Sequence, residues 1–226
     1  MEIEQRLRDV QARIADAATR AGRAPESVRL VGVSKGHGPE IIAAAIEAGL
    51  EEIGENRIQE AAEKIPDVQA ATKRQVQWHL VGHLQTNKAR AALDLFDTIE
   101  SVDSVRIAER ISAIATRTVP VFLEVQFAHT PDRFGFDPEA LDEAIRDTST
   151  LPHVRISGLM TVAPLGLDEE GTRRVFRSLR EHRDRLQVSY PDLDPLELSM
   201  GMSEDYPIAI QEGATIIRIG RAIFAG

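Results

Sequence analysis

The stretch Val28-Arg29-Leu30-Val31-Gly32-Val33-Ser34-Lys35 determines how the rest of the chain is interpreted. Most of its residues are branched and apolar, which is typical of a strand that is covered on both faces in a parallel sheet. The run ends at a lysine, and Gly36-His37-Gly38-Pro39 follows it. A lysine at the end of a buried strand is costly unless its amine has a function. We therefore predict a buried strand that delivers the Lys35 amine to a site.

Strand patterns alternate with helix patterns from this stretch onward. An amphipathic helix is predicted before it, over residues 2 to about 21, because Ile3, Leu7, Val10 and Ile14 recur at helical spacing. Asp103 is predicted to be the N-cap of the helix that follows the fourth strand. The seven further strands are predicted at residues 52–54, 76–81, 98–102, 121–125, 154–159, 196–199 and 216–219.

Eight strands that alternate with helices predict one domain, residues 1–226, folded as an α/β single parallel (β/α)8 barrel with an extra N-terminal helix. An open, doubly wound sheet is the alternative. No G-x-G-x-x-G fingerprint follows the first strand to favour that alternative, and no linker or low-complexity segment divides the chain.

Composition excludes several classes of function. The chain has 27 Lys and Arg against 36 Asp and Glu, and the net charge of -9 gives no overall attraction to nucleic acid or to an anionic membrane. The absence of cysteine excludes disulfides, thiolate metal sites and a cysteine nucleophile. The sequence shows neither a targeting pattern at its start nor an apolar run long enough to cross a bilayer, so we expect a cytoplasmic protein.

The reactive residues of such barrels lie at the carboxyl ends of the strands, where the loops converge. Gly201 and Gly220 follow the seventh and eighth strands, where these barrels often bind phosphate through backbone N–H groups. The alternative is that both glycines only form tight turns. The candidates by this rule are Lys35, Asn56, Glu100, Arg133, Met160, Ser199 and the turn from Arg218 to Arg221.

An amine next to a phosphate site indicates chemistry on a phosphorylated aldehyde, because a desolvated lysine amine is a nucleophile toward carbonyl groups. Pyridoxal 5′-phosphate (PLP) and a sugar phosphate in an aldolase both fit. A metal site is not predicted. His79 and His83 are four residues apart, but they fall on a strand and its turn, and the HExxH glutamate is absent.

Taken together, these segments resemble the pyridoxal-phosphate homeostasis protein family, whose barrel is that of the N-terminal domain of alanine racemases. The resemblance implies that PLP forms a covalent aldimine with Lys35. It places Ser199 and the Gly220-Arg221 backbone at the phosphate, Arg218 at the pyridine nitrogen, and Asn56 and Met200 along the ring. The matching segments span nearly the whole chain: residues 32–35, 54–60, 78–88, 158–160, 198–203 and 217–224.

Two segments depart from the pattern of the family. Lys35-Gly36-His37-Gly38 stands where the family commonly has Lys-Thr-Lys-Pro, so a second lysine near the site is absent. In the fifth loop Arg133 stands in a segment that commonly contains lysine, and arginine keeps the charge but cannot form an imine.

The resemblance leaves a choice between a binding protein and an enzyme. Arg218 disfavours the protonated pyridine nitrogen that efficient carbanion chemistry uses. Racemases also need a second base, which another domain and another subunit supply. We therefore expect a monomer that binds PLP and releases or exchanges it with little turnover, with PLP-dependent apo-enzymes as further partners. The alternatives are a racemase or decarboxylase that uses Tyr206 or His37 as the second base, and a Schiff-base aldolase.

Overall fold

Eight parallel strands close into a barrel in the computed structural model, which describes residues 2–128 and 134–225. Each strand pairs with the next one in the sequence, and β8 pairs with β1, where Val31 lies opposite Arg218. The predicted (β/α)8 barrel is confirmed. The strands are β1 Arg29–Val33, β2 Glu52–Glu55, β3 Gln77–Leu80, β4 Thr98–Val102, β5 Val119–Glu124, β6 Val154–Met160, β7 Glu197–Ser199 and β8 Ile216–Ile219.

Helices surround the barrel and connect its strands. Most of the apolar core lies between the sheet and these helices, and Phe96, Phe176 and Phe224 are among its largest fully buried side chains. In the part of the chain that the structure describes, no helix is long and apolar enough to cross a membrane. The helices are α1 Glu2–Arg20, α2 Pro39–Glu47, α3 Ile58–Ala71, α4 Ala89–Leu95, α5 Val105–Ile114, α6 Leu141–Ser149, α7 Glu169–Ser189, α8 Tyr206–Gln211 and α9 Arg221–Phe224.

The first helix, α1, completes the ring of helices outside the barrel. It contacts α8, α9 and α2. A (β/α)8 barrel normally fills this position with the helix that follows its last strand, but α9 has only 4 residues. The predicted N-terminal packing helix is therefore confirmed, and its buried residues are Leu7, Val10, Ile14, Ala17 and Ala18.

Several predicted element bounds differ from the observed ones. The third helix, which the sequence pattern predicts over Ile58 to Ile65, continues to Ala71 although Pro66 lies inside it, because Ile65 and Val68 on the same helix are buried in the core. Strand β5 begins at Val119 and includes Pro120 near its start, where a missing N–H group is tolerated.

The predicted N-cap of α5 was also wrong, because Ser104 and not Asp103 occupies that position. The Asp103 carboxylate instead lies 2.8 Å from Nδ1 of His83. The side chain that the local pattern assigned to the helix therefore has a hydrogen-bonding partner 20 residues away in the sequence.

The barrel interior holds a small apolar cluster together with polar side chains. Alternation along each strand directs every second residue inward. The polar residues contact one another in a chain and come from five strands: Glu52 from β2, His79 from β3, Glu100 from β4, Ser199 from β7 and Arg218 from β8. The apolar cluster consists of Val31, Phe122, Met160 and Ile216.

Candidate functional site

A cavity of about 650 Å³ lies at the carboxyl ends of the barrel strands. Lys35 and Asn56 reach it from the loops after β1 and β2, and Arg218 reaches it from β8. Gly220 and Arg221 line it beyond β8. The structure thus brings five of the predicted site residues to one cavity. The opposite wall is formed by residues 162–169, between β6 and α7, and by residues 202–205, between β7 and α8.

Lys35 presents an exposed amine to this cavity. Its side chain makes no hydrogen bond or ion pair with any residue that the structure describes. The sequence predicted a buried strand that runs to Lys35, but β1 ends at Val33 and the lysine follows in a turn. The amine is therefore available to a ligand.

A second lysine, Lys64 on α3, lies behind the turn that carries Lys35. Its Nζ atom donates to the carbonyl oxygen of Ser34 at 3.0 Å and to the carboxylates of Glu55 at 2.8 Å and Glu60 at 2.7 Å. The Ser34 hydroxyl also donates to Glu55, and the N–H group of Gly36 donates to Glu60. The sequence reasoning did not identify this cluster.

The two carboxylates of this cluster titrate differently. Burial raises the pKa of Glu55, although hydrogen bonds from Lys64 and Ser34 oppose that effect. Burial alone would raise the pKa of Glu60, but hydrogen bonds from Lys64 and from the N–H group of Gly36 outweigh it and lower the pKa. As the pH falls, Glu60 therefore remains an anionic partner of Lys64 to a lower pH than Glu55 does.

Arg218 at the cavity is held from below by a chain of polar groups. Its Nη1 atom donates to Oγ of Ser199 at 2.5 Å, and its Nη2 atom donates to the carbonyl oxygen of Thr161 at 2.8 Å. The Ser199 hydroxyl in turn donates to Oε2 of Glu100 at 2.5 Å. These bonds fix the plane of the guanidinium group.

The chain continues away from the cavity through His79. Its Nδ1 atom lies 2.7 Å from Oε1 of Glu100, and its Nε2 atom lies 3.4 Å from Oε2 of Glu52. Burial would raise the pKa of Glu100, but the hydrogen bond and charge of His79 lower it. Burial would likewise lower the pKa of His79, but Glu100 and Glu52 raise it. A protonated His79 and an ionised Glu100 therefore stabilise each other inside the barrel.

The two histidines of the 78–88 segment have different surroundings. His79 lies in the barrel interior, whereas the His83 ring stacks on Phe134 with 3.6 Å between ring centroids. Each histidine has its own carboxylate partner, Glu100 for His79 and Asp103 for His83.

The turns after β7 and β8 bring backbone close to the cavity. Gly201 has φ +96°, and a Cβ there would lie 2.6 Å from Cβ of Ala209. A Cβ on Gly220 would lie 2.9 Å from the carbonyl oxygen of Val33. The first hydrogen bond of α9 runs from the N–H group of Ile223 to the carbonyl oxygen of Gly220. The N–H group of Arg221, at the start of this helix, therefore has no acceptor within the helix.

Some predicted residues do not reach the cavity wall. Ser199, Met200 and Gly201 are buried beneath it, and Met160 and Glu100 lie inside the barrel. Arg133 lies outside the described residues. Ser203, which the prediction missed, does line the cavity. A hydroxyl two residues beyond the Gly201 turn was the signal that could have identified it.

Comparison with known proteins identifies relatives over the full length of the chain. The family model described as the alanine racemase N-terminal domain matches residues 6–226. A pyridoxal phosphate homeostasis protein of Aquifex aeolicus (strain VF5) is 40% identical over 223 residues, which is 97% of this chain and 96% of that protein. The protein of the same name in Escherichia coli (strain K12) is 35% identical over 226 residues, 99% of this chain and 96% of that protein.

Solved structures extend the comparison. PipY of Synechococcus elongatus PCC7942 with PLP bound superimposes with a TM-score of 0.88 at 41% identity, covering 99% of this chain and 100% of that one. An alanine racemase of Clostridium difficile 630 superimposes with a TM-score of 0.74 at 17% identity, covering 97% of this chain and 56% of that one. The second likeness is one of fold alone.

Proposed function

Because the chain belongs to the pyridoxal phosphate homeostasis protein family, we propose that it holds PLP as a Schiff base on Lys35 and takes part in PLP homeostasis, with little or no turnover of amino acids. The observation that carries this proposal is the Lys35 amine, which has no partner among the described residues and shares one cavity with the Arg218 guanidinium and the Gly220-Arg221 turn. The PLP bound to the PipY relative supports it.

The donor set of the cavity fits PLP. The Lys35 amine suits the aldehyde, which is the group that PLP supplies for reaction with amines. The Gly220-Arg221 turn can approach a phosphate closely, and the Ser203 hydroxyl adds a donor. The Arg218 guanidinium would face the pyridine nitrogen, with Asn56 beside the ring.

The surroundings of Arg218 favour binding over catalysis. Glu100, acting through Ser199, helps to keep the guanidinium charged and oriented, although burial lowers its pKa. A fixed positive charge at the pyridine nitrogen disfavours its protonation and so weakens the electron sink that amino-acid chemistry uses.

The two candidate second bases for a racemase lie away from the cavity wall. Tyr206 is buried, and burial raises the pKa of its phenol. The His37 ring contacts Phe224, with 5.5 Å between ring centroids. These positions support a protein that holds PLP with little turnover. We further propose that one domain, residues 1–226, acts as a monomer that releases PLP to apo-enzymes.

A titration with PLP tests the proposal. The wild-type protein should acquire the visible absorption band of lysine-bound PLP, and borohydride should convert it to a stable adduct on the peptide that contains Lys35. Lys35→Ala should lose both signals, whereas Lys73→Ala, which changes an exposed lysine away from the cavity, should keep them. A wild-type protein that shows no band of lysine-bound PLP once free PLP has been removed would contradict the proposal.

A second measurement addresses turnover. L- and D-alanine are incubated with the PLP-loaded protein in deuterated water, and exchange of the α-proton is followed by NMR. We expect exchange no faster than with free PLP. Exchange well above that background, abolished by Lys35→Ala, would establish an enzyme.

A further inference from the structure

Lys64 is a buried cation without a role in the site described so far. Its side chain is 7% exposed, and its ammonium group donates to three oxygen atoms, as many as it has protons. Burying a charged amine is costly even when it is paired. Attachment of α3 to the barrel does not require it, because the buried residues Ile58, Ala61, Ile65 and Val68 already pack there.

Two of the three contacts of Lys64 connect it to the backbone on either side of Lys35, one directly and one through Glu60. On one side its Nζ atom binds the carbonyl oxygen of Ser34 directly, at 3.0 Å. On the other side it binds Glu60, whose carboxylate accepts the N–H group of Gly36. The two peptide groups that flank Lys35 are thus tied to one ammonium group.

The turn needs such a restraint. Gly36 has φ +76°, and the segment Gly36-His37-Gly38 contains two glycines, the residue with the greatest backbone freedom. A Cβ on Gly36 would meet nothing within 4 Å, so side-chain packing does not hold this position. Within the turn, the N–H group of His37 donates to the carbonyl oxygen of Ser34 at 3.1 Å. The hydrogen bonds of Glu60 and Lys64 add a second restraint, which ties the turn to α3.

We propose that Lys64, together with Glu60, is a positioning residue that fixes the turn of Lys35 and so directs the reactive amine into the cavity. This inference rests on the proposed function. It assigns Lys64 no contact with the ligand, because Lys64 lies between the sheet and α3 and acts only through the backbone of residues 34–36. A preordered turn lowers the conformational cost of covalent binding.

Removal of the restraint should weaken covalent binding of PLP. Fixing the backbone of one residue costs on the order of 1–2 kcal/mol, which corresponds to about tenfold in affinity. Lys64→Met keeps the length of the side chain and removes the charge. We expect it to weaken PLP binding about tenfold and to speed hydrogen exchange at the amides of residues 34–37. Lys73→Met, an exposed change, should alter neither.

The decisive measurement is a double-mutant cycle with Lys35→Ala. In the Lys35→Ala background PLP binds only through its phosphate and ring, so Lys64→Met should have no further effect on the residual affinity. A loss of affinity that is equally large with and without Lys35 would show general damage to the site and would overturn the inference. Unchanged affinity in Lys64→Met would overturn it as well.

A second variant covers the case in which Lys64→Met does not fold. Glu60→Gln changes a partly exposed side chain and weakens the bond from Gly36 while Lys64 keeps Glu55. It should give a smaller loss of affinity in the same direction, and no loss would contradict the inference. Failure of the wild-type protein to bind PLP would instead remove the proposed function, so the two failures are distinguishable.

Discussion

The Oγ atom of Ser199 lies 2.5 Å from Nη1 of Arg218, beneath the floor of the cavity. The same hydroxyl donates its proton to Glu100, so its donor and one of its acceptor positions are used within the protein. The resemblance to the family had placed Ser199 at the phosphate. That role stays a prediction. In this structure the Ser199 hydroxyl links Arg218 to Glu100, and Ser203 is the serine that lines the cavity wall.

The two serines should therefore respond differently to substitution. Ser199→Ala removes a buried bridge between Arg218 and Glu100 and should lower the free energy of unfolding by about 1–3 kcal/mol. Ser203→Ala should leave stability nearly unchanged but weaken PLP binding by about 1 kcal/mol, roughly fivefold. Denaturant unfolding and PLP titration of both variants measure these effects. If only Ser199→Ala lost affinity for PLP, the result would show that Ser199, and not Ser203, contacts the phosphate.

The pair of His79 and Glu100 predicts a pH dependence of stability. The pKa of His79 is raised above 6.5 in the folded protein, so its stabilising contribution is complete below the unfolded pKa and is lost as the pH rises through the folded pKa. The pKa of Glu100 is lowered below 4.5, so its contribution is lost only as the pH falls through that lower value.

His79→Gln should therefore be most damaging near neutral and mildly acidic pH. We expect it to cost about 2 kcal/mol at about pH 6, and less as the pH rises through the folded pKa of His79, because the wild-type protein loses the same ion pair there. His153→Gln, in a histidine that precedes β6, serves as the control. Urea unfolding across the pH range gives the difference, and a cost that grew at alkaline pH would exclude the ion pair.

Gly201 and Gly166 form a matched pair for testing the turn after β7. Both have positive φ, +96° and +81°, but a Cβ on Gly201 would lie 2.6 Å from Ala209, whereas a Cβ on Gly166 would meet nothing within 4 Å. Gly201→Ala should cost about 3 kcal/mol from strain and overpacking together. Gly166→Ala should cost about 1 kcal/mol from strain alone. If both variants lost the same free energy of unfolding, the close approach of Gly201 to α8 would contribute nothing to the loss.

The sequence predicted what depends on local pattern. Strands β4 and β8 were placed at their observed bounds because each is a short segment with β-branched residues that follows a predicted helix. Lys35, Arg218 and the Gly220 turn were assigned to one site because the barrel itself brings strand ends together.

What the sequence could not predict depends on distant partners. Lys64 bonds to a carbonyl oxygen 30 residues away, and Ser199 bonds to a carboxylate 99 residues away. No periodicity encodes such pairs. Asp103 failed as a helix cap for the same reason, since His83 takes its carboxylate. Whether Ser199 or Ser203 faced the cavity depended on the direction of the chain after β7.

The position of α1 in the ring has a consequence for how the chain folds. Its partners α8 and α9 are near the other end of the sequence, so the seam between the first and last parts of the barrel closes through contacts between residues that are far apart along the chain. Contacts of this kind slow folding, because a long loop must be closed before they form. During synthesis on the ribosome, α1 can contact α2 early, but the part of its apolar face that packs on α8 and α9 stays exposed until those two helices have been synthesised.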